Sequence, residues 1–224
     1  MNDKKICFIM CTNNQTYCRE SVSYIRQLHI PDGYSIDVIT VTDAPSMTAG
    51  YNEAMRSSDA KYKIYIHQDV MIIDPDFLLY ILHIFTDNSK IGMIGMIGAP
   101  KLAENKIMWY SNRIGQIYAN DLYHTYTLKF DPPSCPYQKV EAIDGLLIAT
   151  QYDLPWRDDL FQGWDFYDVS QSTQFRLHGY DVVVPYMDPP WVIHDDGIMD
   201  LTNYYKAREI YVKNYTDLPL PEVR

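Results

Sequence analysis

Apolar runs and helix-spaced stretches alternate along the first part of the chain, and this alternation limits the fold more than any other feature. KICFIMC, residues 5–11, is a continuous apolar run, as expected of a strand buried on both faces of a parallel sheet. After the polar turn Thr12-Asn13-Asn14, the stretch 19–29 places Val22, Ile25 and Leu28 at helical spacing, and Pro31-Asp32-Gly33 stops it. IDVITVT, residues 36–42, is β-branched and reads as a second strand, followed by a loop opening on Asp43. A helix over 48–58 and a third strand, YKIYI at 62–66, come next. Asp74 as N-cap with Pro75 at the first helical position predicts a helix over 76–85, apolar almost all round and therefore buried. The order β-α-β-α-β-α predicts an α/β fold, a mostly parallel sheet flanked by helices.

The second part is less regular. IGMIGMIGA, residues 91–99, is a strand pattern whose glycines imply a bulge or close backbone approach. Residues 100–139, rich in Tyr, Asn and Pro, predict a smaller irregular or antiparallel region over one face. Strands follow at 140–150, 181–185 and 191–197, with a helix at 164–178, a last amphipathic helix at 201–214 and an extended tail, DLPLPEVR. No linker splits the chain, so a single domain over 1–224 is expected.

A formal net charge of −10 argues against nucleic acid, whose binding needs clustered Lys and Arg. A small nucleotide is compatible with it, since a bound metal can neutralise phosphate locally. Cys7, Cys11, Cys18 and Cys135 form no Cys-x-x-Cys pair and read as buried free thiols. The start, MNDKKICFIMC, is too polar for a signal peptide, and the apolar segment near 91–100 is too short for an integral membrane segment. A cytoplasmic protein is expected. Twenty tyrosines and four tryptophans, rings with polar tips, suit partly wet, sugar-binding clefts as well as ordinary packing.

Ligands of parallel α/β sheets bind outside the carboxyl ends of the strands. Four expected strands end on candidate groups: Thr12, Asp43, the pair His67 and Asp69, and His194. Asp69 with His194 is a mixed carboxylate and imidazole set that suits Mn²⁺ or Mg²⁺, with room for phosphate oxygens.

Four stretches, in order, carry a family resemblance: 44–55 (APSMTAGYNEAM), 61–78 (KYKIYIHQDVMIIDPDFL), 161–185 (FQGWDFYDVSQSTQFRLHGYDVVVP) and 191–197 (WVIHDDG). Together they resemble family-2 glycosyltransferases of the GT-A, Rossmann-like fold. The likeness is strongest to the branch named after a streptomycin-biosynthesis glycosyltransferase-like protein. The resemblance implies a nucleotide-binding half at about 1–99, an acceptor and catalytic half at about 100–197, and a C-terminal helix and tail at 198–224. It implies an enzyme that moves a sugar from a nucleotide-diphosphate sugar donor to a hydroxyl of a glycan or small-molecule acceptor, with inversion, in glycan or polysaccharide biosynthesis. Asp69 matches the last aspartate of the family's Asp-x-Asp, and His194 its second metal ligand. His67 stands where the first aspartate usually is and faces sugar or ribose; Gln68, between the two, is a nucleotide-sugar-binding candidate with it. Thr12, Asp43 and Asn52 fall where the family holds the nucleoside. Asp168 matches the catalytic base, with Asp165 the alternative three residues earlier, and Ser170 replaces an aspartate often found two residues on. Asp144, Trp164 and Trp191 are acceptor-side candidates, and Trp156 completes that aromatic set. Two other readings fit the same residues: a non-catalytic nucleotide- or carbohydrate-binding protein on this scaffold, and a nucleotidyltransferase.

Overall fold

The computed structural model describes residues 1–195, 197, 200–216, 218 and 223. Strand β1 (Asn2–Thr12) alternates its buried side chains: Ile6, Phe8 and Met10 face one apolar cluster, Cys7, Ile9 and Cys11 another. The two clusters lie on opposite faces of the main sheet. Helix α1 (Gln15–Ile25) begins earlier than periodicity alone predicts, because the Asn14 side chain accepts from the Thr16 and Tyr17 amides and caps it. Strand β2 (Ser35–Thr42) and helix α2 (Met47–Ser57) follow, the latter capped by Ser46 Oγ on the Ala49 amide at 3.2 Å. Then come β3 (Ala60–Ile66), a short β4 (Val70–Ile72) and α3 (Phe77–Asp87). Asp74 does not cap α3. Its carboxylate accepts from the Asp76 amide at 2.9 Å, making a turn, and the helix starts beyond Pro75 with Asp76 at its N-cap.

The pattern at 91–99 makes two strands, β5 (Ile91–Gly95) and β6 (Ile97–Ala99), which belong to different sheets. The glycines there do mark close approach: a Cβ on Gly95 would lie 2.6 Å from Ile143 Cβ, and one on Gly98 2.7 Å from the Ala142 carbonyl oxygen. Residues 100–139 hold a 3₁₀ turn (Met108–Tyr110), the hairpin β7 (Ile114–Asn120) and β8 (Thr125–Lys129), and β9 (Tyr137–Lys139). The strand expected over 140–150 is likewise two, β10 (Ala142–Ile143) and β11 (Leu147–Thr150), separated by a turn in which Asp144 Oδ1 accepts from the Leu146 amide at 3.0 Å. Helix α4 (Tyr167–Leu177), β12 (Asp181–Pro185), β13 (Val192–Asp195) and α5 (Tyr204–Tyr215) complete the order. The expected tail lies almost wholly outside the described residues.

The seven-stranded sheet has the order β2-β1-β3-β11-β5-β12-β9. Its β2-β1-β3 half is parallel, as the sequence predicts; β11 then enters antiparallel to both neighbours, so the sheet is mixed. A second sheet runs β10-β6-β7-β13-β4, with β8 beside β7. Helices α1 and α3 cover one face of the main sheet, α2 and α4 the other, and α5 packs on α4 over a third cluster containing Val169, Tyr211 and Tyr215. Three cysteines are buried, whereas Cys135 is exposed, contrary to expectation.

Gly115, where β7 meets β6, has φ +100°, and a Cβ there would lie 2.2 Å from the Met96 carbonyl oxygen. Replacing it by alanine adds a strained φ to a backbone clash, an expected loss of roughly 2–4 kcal/mol. A lower urea midpoint with unchanged slope would report this. Unfolding indistinguishable from the parent would contradict the close approach of the two strands.

Candidate active site

Because β1 lies between β2 and β3 and runs parallel to both, the three strands deliver their C-terminal residues to one edge. A cleft of about 300 Å³ opens there, lined among others by Thr12, Asp43, Met47, His67, Asp69 and Trp164. Asp43 is exposed and turns the chain with φ +57°. Gln68 also lines the cleft, but its amide is engaged. Its Oε1 accepts from Thr12 Oγ1 at 2.8 Å and from the Asn13 and Asn14 amides at 3.1 and 2.9 Å, and its Nε2 donates to Asn13 Oδ1 at 2.7 Å. Gln68 thus fixes the β1–α1 turn that forms one wall.

Asp69 and His194, distant in sequence, meet through strand pairing. His194 on β13 stands opposite Val70 on β4, and the Asp195 amide donates to the Asp69 carbonyl at 2.9 Å. His194 Nε2 lies 3.5 Å from Asp69 Oδ1, and the His67 ring meets the His194 ring edge-on at 5.7 Å. One ligand atom from each of the three lies within 4.8 Å of the others. Burial alone would raise the Asp69 carboxyl, but the hydrogen bond from His194 and the two imidazoles hold it below the usual range. Burial pushes His67 down to about 4, against the pull of Asp69, so its ring is neutral near pH 7. Asp69 Oδ1 is buried and meets only the long 3.5 Å approach of His194 Nε2, so its hydrogen-bonding capacity is not filled. A neutral imidazole, a second imidazole and an ionised, under-satisfied carboxylate fit a divalent cation that takes mixed nitrogen and oxygen ligands.

His67 has a support that sequence reasoning missed. The Tyr167 hydroxyl is hydrogen-bonded to His67 Nε2, and the tyrosine is buried at the start of α4. Its phenol fills the space a side chain on Gly145 would need: a Cβ there would lie 2.1 Å from the Tyr167 oxygen. The only signal in the sequence was Tyr167's place beside Asp168.

Asp168, in the first turn of α4, accepts from the Val169 amide at 2.8 Å. Burial and the neighbouring charge of Asp144 push its carboxyl up to about 7. Asp165 is raised by burial and by Asp200. The two are not one helical turn apart, because Phe166 between them has φ +60° and α4 starts only after it. The Tyr204 hydroxyl, on α5, is raised by burial and by the charges of Asp168, Asp144 and Asp165. This places a second unforeseen tyrosine beside the carboxylates.

Other candidates fall elsewhere. Asn52 is buried, and its amide clamps the backbone of Trp156: Nδ2 donates to the Trp156 carbonyl at 2.8 Å, and Oδ1 accepts from its amide at 2.9 Å. It does not line the cleft. Trp191 packs on Phe77 and stacks on Tyr80 with centroids 4.9 Å apart, on the α3 side of the sheet, so the structure does not bring it to the acceptor side. Trp164 is at the cleft and half exposed, whereas Trp156 is core. Ser170 Oγ is bonded to the Tyr215 hydroxyl at 2.9 Å, so this position serves the packing of α5 on α4.

The model of a family described as "Glycosyltransferase like family" matches residues 7–215. No curated protein matches the sequence. Among solved structures, the chain is similar to the mannosyltransferase PcManGT from Pyrobaculum calidifontis in complex with GDP-Man and Mn²⁺, with TM-score 0.60 and 14% identity over 98% of this chain and 66% of that one. It is similar to S. aureus TarS 1-349, with TM-score 0.62 and 11% identity over 97% of this chain and 67% of that one. The same TarS fragment in complex with UDP-GlcNAc gives TM-score 0.58 and 11% identity, over 98% of this chain and 68% of that one. The chain therefore spans about two thirds of these chains and 41% of a longer TarS chain, and at such identities the likeness shows the GT-A fold alone.

Tyr167→Phe removes the hydroxyl and leaves His67 Nε2 unpartnered on that side. A loss of about 1 kcal/mol in urea unfolding is expected. A variant as stable as the parent would contradict a supporting role for this hydrogen bond.

Proposed function

Because this chain belongs to the glycosyltransferase-like family whose model spans residues 7–215, we propose that it transfers a sugar from a nucleotide-diphosphate sugar to an acceptor hydroxyl. The transfer inverts the sugar carbon and depends on a divalent metal, Mn²⁺ or Mg²⁺. The observation that carries the reading is the pairing of two opposed environments. His67, Asp69 and His194 gather where Asp69 stays ionised, and the Asp168 carboxyl is lifted to about 7. Enzymes of this kind need a cation site for a diphosphate and a base poised near neutral pH. That solved proteins of the same fold hold GDP-Man with Mn²⁺ and UDP-GlcNAc supports the donor class.

Thr12 and Asp43 would line the nucleoside end of the cleft. Asp69 and His194 would hold the cation, with His67 completing the set or facing the sugar. The bound cation would neutralise the diphosphate as it leaves. Asp168 takes the proton from the acceptor hydroxyl as its oxygen bonds to the sugar carbon and the bond to the diphosphate breaks. A pKa near 7 makes this carboxylate a far stronger base than an ordinary one while leaving it largely ionised just above neutrality. Asp165, outside the helix, is the second choice for the base. We infer the streptomycin-biosynthesis branch because His67 replaces the usual aspartate, and a role in glycan or polysaccharide synthesis within a single functional unit of donor and acceptor halves. Four free cysteines support a reducing, cytoplasmic setting. Among the described residues, no helix is long and apolar enough to cross a membrane.

UDP or GDP with Mn²⁺ should raise the melting temperature, by the equivalent of about 2.7 kcal/mol at a hundredfold excess over Kd. No shift with any nucleotide would sink the donor site. Asp168→Asn should abolish transfer while this shift survives; full turnover in the variant would remove Asp168 as the base. The parent's kcat/KM should rise with pH through about 7, since the base works ionised and the charge of Asp144 beside it holds its proton on to that point. The same raised value has the opposite sign for stability. The folded chain holds this proton more tightly than the unfolded one, so the contribution is present below the ordinary carboxylate value of 3.8 and lost as pH rises through about 7. An activity limb at the ordinary carboxylate value would contradict the assignment.

A further inference from the structure

We propose that Tyr204, Tyr205, Tyr110 and Trp109 form an acceptor subsite that binds a neutral oligosaccharide of several sugar units, leading outward from Asp168. The inference rests on the glycosyltransferase reading and specifies its acceptor. The four rings come from two separate segments. Tyr204 packs tilted against Phe166 at 4.8 Å, inside the segment that carries Asp165 and Asp168, and meets Tyr205 edge-on at 5.8 Å. Tyr110 lies beside Tyr205, close enough for each phenol to influence the other. Trp109 is next to Tyr110 in the 3₁₀ turn, and the Arg113 guanidinium covers its ring at 5.3 Å.

The platform is anchored from behind. On α5, Tyr211 and Tyr215 are buried, with hydroxyls bonded to Thr173 at 2.8 Å and to Ser170 at 2.9 Å. Arg208 Nε donates to the Asn105 carbonyl at 2.6 Å and ties α5 to the loop before the turn. The front rings are open instead: Tyr205 is 52% exposed, Tyr110 65% and Trp109 37%. Exposed tyrosine rings edged by hydroxyls, beside the segment that carries the proposed base and flanked by Trp109, match the alternating C–H faces and hydroxyls of a sugar chain. A single sugar at Asp168 would leave most of the strip uncovered. The net charge of −10 disfavours a polyanionic acceptor.

The probe is an array of defined neutral glycans, from monosaccharides to hexasaccharides, read with the parent chain and with Tyr205→Ala, Tyr110→Ala and Tyr205→Trp. Binding should strengthen with length. Each alanine variant should bind hexasaccharides about tenfold more weakly, and Tyr205→Trp, which keeps a ring, should restore binding. No glycan bound, no dependence on length, or equal binding by the alanine variants would overturn the subsite. The nucleotide-induced thermal shift of the parent scores the donor reading separately. A shift without glycan binding removes only the subsite, and glycan binding without a shift removes the transferase reading instead.

Discussion

The short antiparallel pairing of β4 with β13 is the contact on which the site depends. Three residue pairs, Val192 with Ile72, Ile193 with Met71 and His194 with Val70, bring the last strand back against the turn that leaves β3. The Asp195 amide on the Asp69 carbonyl closes the end of this ladder. Side chains alternate across a strand, so a slip of one residue would turn His194 away from Asp69 and replace it with Ile193 or Asp195. β13 in turn is held by β7, in parallel, and Asn120 Nδ2 donates to Asp195 Oδ1 at 2.8 Å. The second sheet thereby carries His194 to the edge of the first.

Two electrostatic zones lie on either side of Tyr167, and in both burial favours the neutral form. On the β3 side it keeps His67 uncharged, while Asp69 stays ionised because two imidazoles face it. On the α4 side burial and a second carboxylate favour the proton on Asp168. Tyr167 joins the zones. Its hydroxyl touches His67, its backbone begins the helix that presents Asp168, and Gly145 leaves room for its ring.

The first part of the fold was legible because its strands are apolar or β-branched runs bounded by turn residues. The 91–99 segment misled for a physical reason: periodicity reports burial, and a chain that passes from one buried sheet to another stays buried throughout. Only the glycines hinted at the change, and Gly95 and Gly98 do sit where β10 crosses. The start of α4 was read too early because Phe166 adopts a left-handed conformation that no propensity suggests for phenylalanine. Among the candidate residues, those at strand ends do come together, since topology sends them to one edge. Asn52 and Trp191 look like ligand-binding types, but hydrogen-bonding and stacking partners inside the protein claim them. Tyr167 and Tyr204 went unseen because what makes them notable is a partner far away in sequence.

The central claim is that Asp69 and His194 hold the cation that accompanies the nucleotide. Anomalous diffraction from crystals grown with Mn²⁺ and whichever of UDP or GDP raises the melting temperature tests it most directly. The expected result is a manganese peak within bonding distance of both side chains, with the nucleotide's phosphates beside it. Nucleotide in the cleft with no peak at these residues, or manganese bound elsewhere on the protein, would contradict it.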